Sequence, residues 1–316
     1  MPFITLKFQP GVDKESTNSS SAITWYDTDK VRFRQGYPEK IGGWVAYATA
    51  TFIGTCRSIL PWTSLEGENR LGLGTNIKLY TEVGESYYDI TPIRASSTIN
   101  TNPFSITAAS AEVIVTDTAH GAVAGDYVTY SGATSGDGTL TAGVMNSEYV
   151  IDSITNANTY VVTMSAVAAG ADATEGGANV VAAYQISVGL DTAVVGTGWG
   201  VDTFGAEAWG EASTGAVDVT AQLRLWSLAN WGEDLLANIR NSGIYYWDTS
   251  VGTGTRAVDI TSLSGSDTAP TICRKLLIVP EVRHVLALGC DPTDDIGTQD
   301  TMLIRWPDAE SLLTWT

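Results

Sequence analysis

Short runs of apolar and β-branched residues, cut by turn residues every few positions, extend along this whole chain. Thr, Val, Ile and aromatic residues fill the runs, which is how strands on a pleated, half-buried surface read. The 32 Gly and 10 Pro fall mainly between the runs, as turn punctuation. No long stretch carries a 3.6-residue apolar period flanked by caps. The nearest is Ala229–Ile239, where a strand reading competes. The pattern predicts an all-β protein.

The runs repeat as units. Segments 55–82, 221–248 and 272–308 align, each with a short apolar strand, a polar turn and a second apolar strand. The second strands are Leu71-Gly-Leu-Gly74, Leu235-Leu-Ala-Asn238 and Val285-Leu-Ala-Leu288. Third strands follow with an aromatic in each: Lys78-Leu-Tyr80, Tyr245-Tyr-Trp247 and Ile304-Arg-Trp306. Cys56-Arg57 matches Cys273-Arg274, and Asp89-Ile-Thr91 matches Asp259-Ile-Thr261 in an expected fourth strand. Four antiparallel strands per unit of about 40 residues is the pattern of a β-propeller blade. One such sheet cannot bury both faces alone, and radial stacking buries them. Three blades are too few for a ring, which usually takes four or more. The third unit stops before its Asp-Ile-Thr strand, so the chain is expected either to be a fragment or to share its ring with other polypeptide.

Residues 94–190 interrupt the repeat with an Ala-, Thr-, Gly- and Val-rich composition that lacks Trp. Strands are expected at Glu112–Thr116, Tyr127–Tyr130, Tyr149–Ile154, Thr159–Thr163 and Val180–Ile186. Five strands in this length suit a small inserted β-barrel, projecting from a loop between blades. The expected organisation is therefore an N-terminal clamp at 1–47, discontinuous blades at 48–93 and 191–316, and the barrel at 94–190. Trp199, Phe204 and Trp209, each followed by Gly, recur at a spacing of five residues. They read either as a structural connector or as a contact platform for a sugar or a subunit.

Charge narrows the possible functions. There are 17 Lys+Arg against 35 Asp+Glu, a net charge of −18. Residues 1–47 are close to neutral, with six basic and five acidic side chains, so the acidity belongs to the blades and the insert. Binding of nucleic acid by bulk counterion release is excluded, and anionic membranes are disfavoured. Two His and three Cys without paired spacing provide neither a His-based metal site nor a disulfide framework. No stretch suits a signal peptide, a membrane span or a membrane anchor. The acidic loops Asp27–Asp29 and Asp291–Gly297 lack calcium-loop spacing and read as polar turns. No P-loop, G-x-S-x-G or H-E-x-x-H is present. The chain is expected to be non-enzymatic and to need no cofactor.

The N-terminal motifs Phe8-Gln-Pro-Gly-Val12, Trp25-Tyr-Asp27, Lys30-Val-Arg-Phe-Arg34, Gln35-Gly-Tyr-Pro-Glu-Lys40 and Ile41-Gly-Gly-Trp44 resemble a family of tailed-bacteriophage structural proteins. Within the insert, Thr116-Asp-Thr-Ala-His-Gly121, Gly125-Asp-Tyr-Val-Thr129 and Asn156-Ala-Asn-Thr-Tyr160 resemble a small barrel module of phage tail proteins. That module is similar to the FCCH fold of ubiquitin-activating enzymes. The resemblance implies a tail nozzle or packaged-DNA-stabilising protein in a hexameric ring. Its implied partners are further copies of itself, portal, adaptor or other tail proteins, and genomic DNA passing without sequence-specific contact. Its implied location is the virion tail, after synthesis in the host cytoplasm. An acidic lumen would repel DNA and keep its passage free.

Lys30, Arg32 and Arg34 form the basic face of a half-buried strand, with Trp44 beyond it. That face can meet acidic groups of the same chain, a neighbouring subunit or DNA phosphate. The competing function is a carbohydrate-binding or host-receptor contact through Trp199, Phe204 and Trp209.

Overall fold

The computed structural model describes residues 9–15, 17, 19–20, 23–43, 45–134, 136–170, 175–189 and 225–315. The chain divides into two compact units, Met1–Thr49 and Ala50–Thr316. In the first, β1 (Val31–Arg34) and β2 (Tyr37–Lys40) form a hairpin. Gln35 and Gly36 join them with φ of 50° and 84°, as a tight hairpin turn of matching twist requires. Pro38 lies within β2 opposite Phe33.

The second unit is built of antiparallel meanders. Blade 1 comprises β3 (Cys56–Thr63), β4 (Asn69–Thr75), β5 (Leu79–Val83) and β6 (Ser86–Asp89). The insert follows with β7 (Ile93–Thr98), β8 (Phe104–Ile106), β9 (Glu112–Thr116), β10 (Tyr127–Ser131), the short helix α1 (Ala142–Met145), β11 (Glu148–Asn156), β12 (Thr159–Thr163) and β13 (Val181–Gln185). Blade 2 comprises β14 (Trp226–Trp231), β15 (Asp234–Ile239), β16 (Ile244–Trp247) and β17 (Val258–Asp259). Blade 3 has three strands, β18 (Cys273–Val279), β19 (His284–Cys290) and β20 (Ile304–Arg305). The possible helix at Ala229–Ile239 is the β14–β15 hairpin.

Asp-Ile-Thr was expected to form the fourth strand, and instead the strand ends at its Asp, Asp89 or Asp259. The Thr91 amide donates to Asp89 Oδ1 at 2.9 Å, and the Thr261 amide to Asp259 Oδ1 at 2.8 Å. Each carboxylate holds a turn that drives the next side chain, Ile90 or Ile260, into a core with no exposure. The motif recurs because both blades need the same stop.

The insert is not a closed barrel. Its seven strands lie in the order β7-β13-β10-β11-β12-β9-β8, and the end strands β7 and β8 do not pair with each other. Between them Asn102 adopts φ of 52° and Pro103 has no N–H to donate, so a ladder cannot run through. An isolated bridge, Phe104↔Glu175, ties β8 to the chain ahead of β13. The curled sheet still encloses one core, centred on Phe104, Tyr130, Tyr160 and Tyr184.

Blade 2 is buried on both faces. Leu235, Ala237, Ile239, Tyr245 and Trp247 share one core with Trp62, Leu79 and Ile90 of blade 1. Leu236, Ile244 and Ile260 share another with Leu276, Val285 and Ala287 of blade 3. The glycines of Leu71-Gly-Leu-Gly74 set the approach of blades 1 and 2. A Cβ on Gly74 would lie 2.4 Å from the Trp226 ring, and one on Gly72 would lie 3.3 Å from Leu235 and Trp62. The two indoles then donate across the seam, Trp226 to the Thr75 carbonyl at 2.7 Å and Trp62 to the Glu233 carbonyl at 3.0 Å.

Gly74→Ala should overpack this seam and destabilise the protein by about 1–3 kcal/mol. Gly254→Ala, where an added Cβ meets nothing within 4 Å, should change stability by less than about 0.5 kcal/mol. Urea denaturation monitored by tryptophan fluorescence measures both.

Candidate functional site

The N-terminal strand alternates as expected. Val31 and Phe33 are half-buried, while Lys30, Arg32 and Arg34 are exposed. Arg32 does not stand free, because its Nε meets Glu39 Oε2 on the paired strand at 3.0 Å. An exposed pair of this kind contributes about 0–1 kcal/mol, but it neutralises the centre of the basic face. Trp44, Trp199, Phe204 and Trp209 lie outside the described residues.

A charged cluster joins the insert to the blades. Lys78, only 2% exposed, places Nζ 2.7 Å from Asp89 Oδ2, against Glu148 of β11, and 4.5 Å from the centre of the Tyr127 ring. Arg256, between β16 and β17, reaches Asp89 Oδ1 at 3.1 Å, Glu148 Oε2 at 3.3 Å and the Thr91 carbonyl at 3.0 Å. The Gln185 side-chain amide also donates to Glu148. Two cations thus balance two carboxylates where blade 1, blade 2 and the insert meet. Burial alone would raise the Asp89 carboxyl, but Lys78 and Arg256 overcome it and hold the group below its ordinary value. The sequence held one clue, a lone cation inside the apolar run Asn76-Ile-Lys-Leu-Tyr80.

The other titratable clusters complete internal networks. Within the insert, the Tyr130, Tyr160 and Tyr184 hydroxyls form a chain with spacings of 2.8 and 3.0 Å, and Tyr184 donates to Asp117 at 2.5 Å. Burial pushes the Tyr160 hydroxyl up to about 12. His120 packs edge-on to Tyr160, accepts from the Ala122 amide and lies 3.1 Å from the Asn156 carbonyl. Asp291 is fully buried and accepts from the Thr271, Ile272 and Gly297 amides, which makes its loop a polar turn. Among the described residues, no group of three or more His, Cys, Asp or Glu could hold a metal ion. Cys273 and Cys290 face each other across β18 and β19 as free thiols, and burial pushes Cys273 up to about 12.

An open cleft of about 430 Å³ is lined by residues of blades 2 and 3, where β14 and β18 begin and β19 ends. Leu225, Trp226, Ser227 and Arg240 line one side, and Arg274, Lys275, Leu288, Gly289 and Thr301 line the other. Among the described residues, no acidic residue lines it. The sequence pattern aligns Arg274 with Arg57 as a repeat match and misses this convergence, because Arg240 and Thr301 enter from distant segments.

No protein-family model matches the sequence, and no curated protein matches it. Among solved structures, the chain is similar to the phage phi92 endosialidase, with 11% identity and a TM-score of 0.25. The match covers 89% of this chain and 39% of that one, so the chain spans well under half of that protein's length. The expectation of a non-enzymatic chain is corrected by this likeness, since the similar structure is that of an enzyme. At that TM-score the likeness assigns no substrate or mechanism to this chain.

Lys78→Met should leave the half-buried carboxylates Asp89 and Glu148 short of a cation and cost up to about 3–5 kcal/mol in a denaturant titration. The charge cluster also predicts a pH dependence. Asp89 has a lower pKa folded than unfolded, so its contribution is present above the unfolded value of about 3.9 and is lost as pH falls through the folded value. Urea midpoints followed from pH 6 down to pH 2.5 should therefore fall more steeply for the parent protein than for Asp89→Asn.

Proposed function

We propose that this protein is a structural component of a bacteriophage tail, a nozzle-like ring element of the conduit through which DNA leaves the virion. The motifs of residues 8–44 and of the insert support the phage-tail reading through their resemblance to tail proteins. The observation that carries the ring reading is the pair of open ends on the blade stack. Lys275, Leu277, Leu286, Leu288 and Ile304 share the face of blade 3 turned away from blade 2. Leu277 is 41% exposed and Ile304 49%, and Trp306 beside them is 46% exposed. On blade 1, Ile59 is 57% exposed. Adjacent apolar side chains left open at the end of a stack mark a surface for association.

In this reading, blades of neighbouring copies cover those faces, and portal or adaptor proteins hold the ring. DNA passes an acidic wall without sequence-specific contact. The same apolar physics that joins blades 1, 2 and 3 then operates between chains.

The test is electron microscopy of the purified protein, alone and with portal and adaptor proteins. Rings are expected, and they should be lost in Leu277→Glu/Ile304→Glu. A monodisperse monomer in both conditions would overturn the proposal.

A further inference from the structure

The cleft at the edge of blades 2 and 3 is a cationic site in an anionic protein. The described Lys and Arg of residues 50–316 divide sharply by what they touch. Arg70, Lys78, Arg94 and Arg256 form ion pairs. Arg305 donates to the Asp291 and Thr268 carbonyls, Arg283 lies over the Trp231 ring, and Arg57 also has a partner. Arg240, Arg274 and Lys275 are the remaining three, and among the described residues none of their charged groups has an ion pair, a hydrogen bond or a ring contact. All three line the same cleft.

Chance distribution of solvated charge does not favour this placement. With 35 acidic side chains in the chain, a cation on such a surface readily finds a carboxylate. Here three cations line a concavity whose described lining contains no acid, so among the described residues nothing offsets their mutual repulsion. A bound anion would relieve it. Arg240 and Arg274 offer planar, multidentate donors suited to carboxylate or phosphate oxygens, and Lys275 adds a point charge. Ser227 and Thr301 supply hydroxyls, and Leu225 and Leu288 supply apolar walls.

Gly289 keeps the cleft open. It adopts φ of 62°, and a Cβ there would lie 3.1 Å from Arg274 Cβ and 3.3 Å from the Thr301 carbonyl. Among the described residues, the aromatic in the lining is Trp226, which is 6% exposed and engaged with blade 1 and so is not free to stack a nucleobase. The cavity size falls in the range of small-molecule sites, about 300–1,000 Å³.

We infer that this cleft binds a compact anionic ligand, recognising a carboxylate or phosphate group through Arg240, Arg274 and Lys275. The cleft shares Lys275 and Leu288 with the outer face of blade 3, so its test reads anion binding by the single chain and not ring formation.

Isothermal titration calorimetry of the full chain with pyrophosphate in one arm and citrate in the other tests it and separates the two anion chemistries. Saturable binding of at least one probe is expected, weakening as salt rises. Arg240→Gln and Arg274→Gln should each reduce affinity about tenfold. Lys40→Gln, an exposed cation of the N-terminal hairpin, should leave affinity unchanged. Near-UV circular dichroism identical to the parent will show that the cleft variants are folded. Saturable binding of neither probe at millimolar concentration would overturn the inference. Equal binding by the folded cleft variants would overturn it too. A defect in ring formation with anion binding intact would bear on the tail reading alone.

Discussion

The central constraint on residues 50–316 is that a four-stranded meander has two faces and must bury both. Blade 2 meets it fully, with β15 buried along nearly its whole length between neighbours. Its odd positions, Leu235, Ala237 and Ile239, serve blade 1, and the even position Leu236 serves blade 3. Such a strand loses the in–out alternation of a half-buried sheet, which is why the β14–β15 segment also looked helical. Close approach then depends on absent side chains. Gly72 and Gly74 leave the room that Leu235 and Trp226 occupy. Burying these apolar groups supplies the non-directional part of the stabilisation, and the two indole hydrogen bonds fix the register of one sheet over the other.

Charge is organised by the same stack. The insert carries one basic residue, Arg94, against eight acidic ones, yet its Glu148 meets Lys78 and Arg256 supplied by two different blades. The junction is therefore neutral although the chain is strongly acidic. Arg94 is itself used inside the insert, 3.6 Å from Asp126 and over the Tyr184 ring. Cations are scarce, and most of those described in this unit are tied down. That scarcity gives weight to the three gathered in the cleft at the edge of blades 2 and 3.

Several features were legible because they are local. The strands β9 and β12 of the insert fall at the residues expected from alternation alone, and β10, β11 and β13 fall within two residues of expectation. The repeated Asp-Ile-Thr was legible as a repeat but not as a strand terminator, since the carboxylate-to-amide bond that ends the strand is invisible in a hydropathy pattern. Strands β7 and β8 were missed because their partners, β13 and β9, define them better than their own composition does. The same reason hid the open edge of the curled sheet. Whether β7 pairs with β8 depends on backbone direction at Asn102 and Pro103 and not on hydrophobicity.

By itself the sequence determined the all-β class and the positions of many antiparallel strands. Those depend on period-two alternation, turn residues and local recurrence, which act over a few residues. Only the tertiary structure decided which charges meet. Lys78 with Glu148, and Arg240 with Arg274, are brought together by sheet stacking across long stretches of chain. Electrostatic interactions fall off with distance in space, and separation along the chain does not report it.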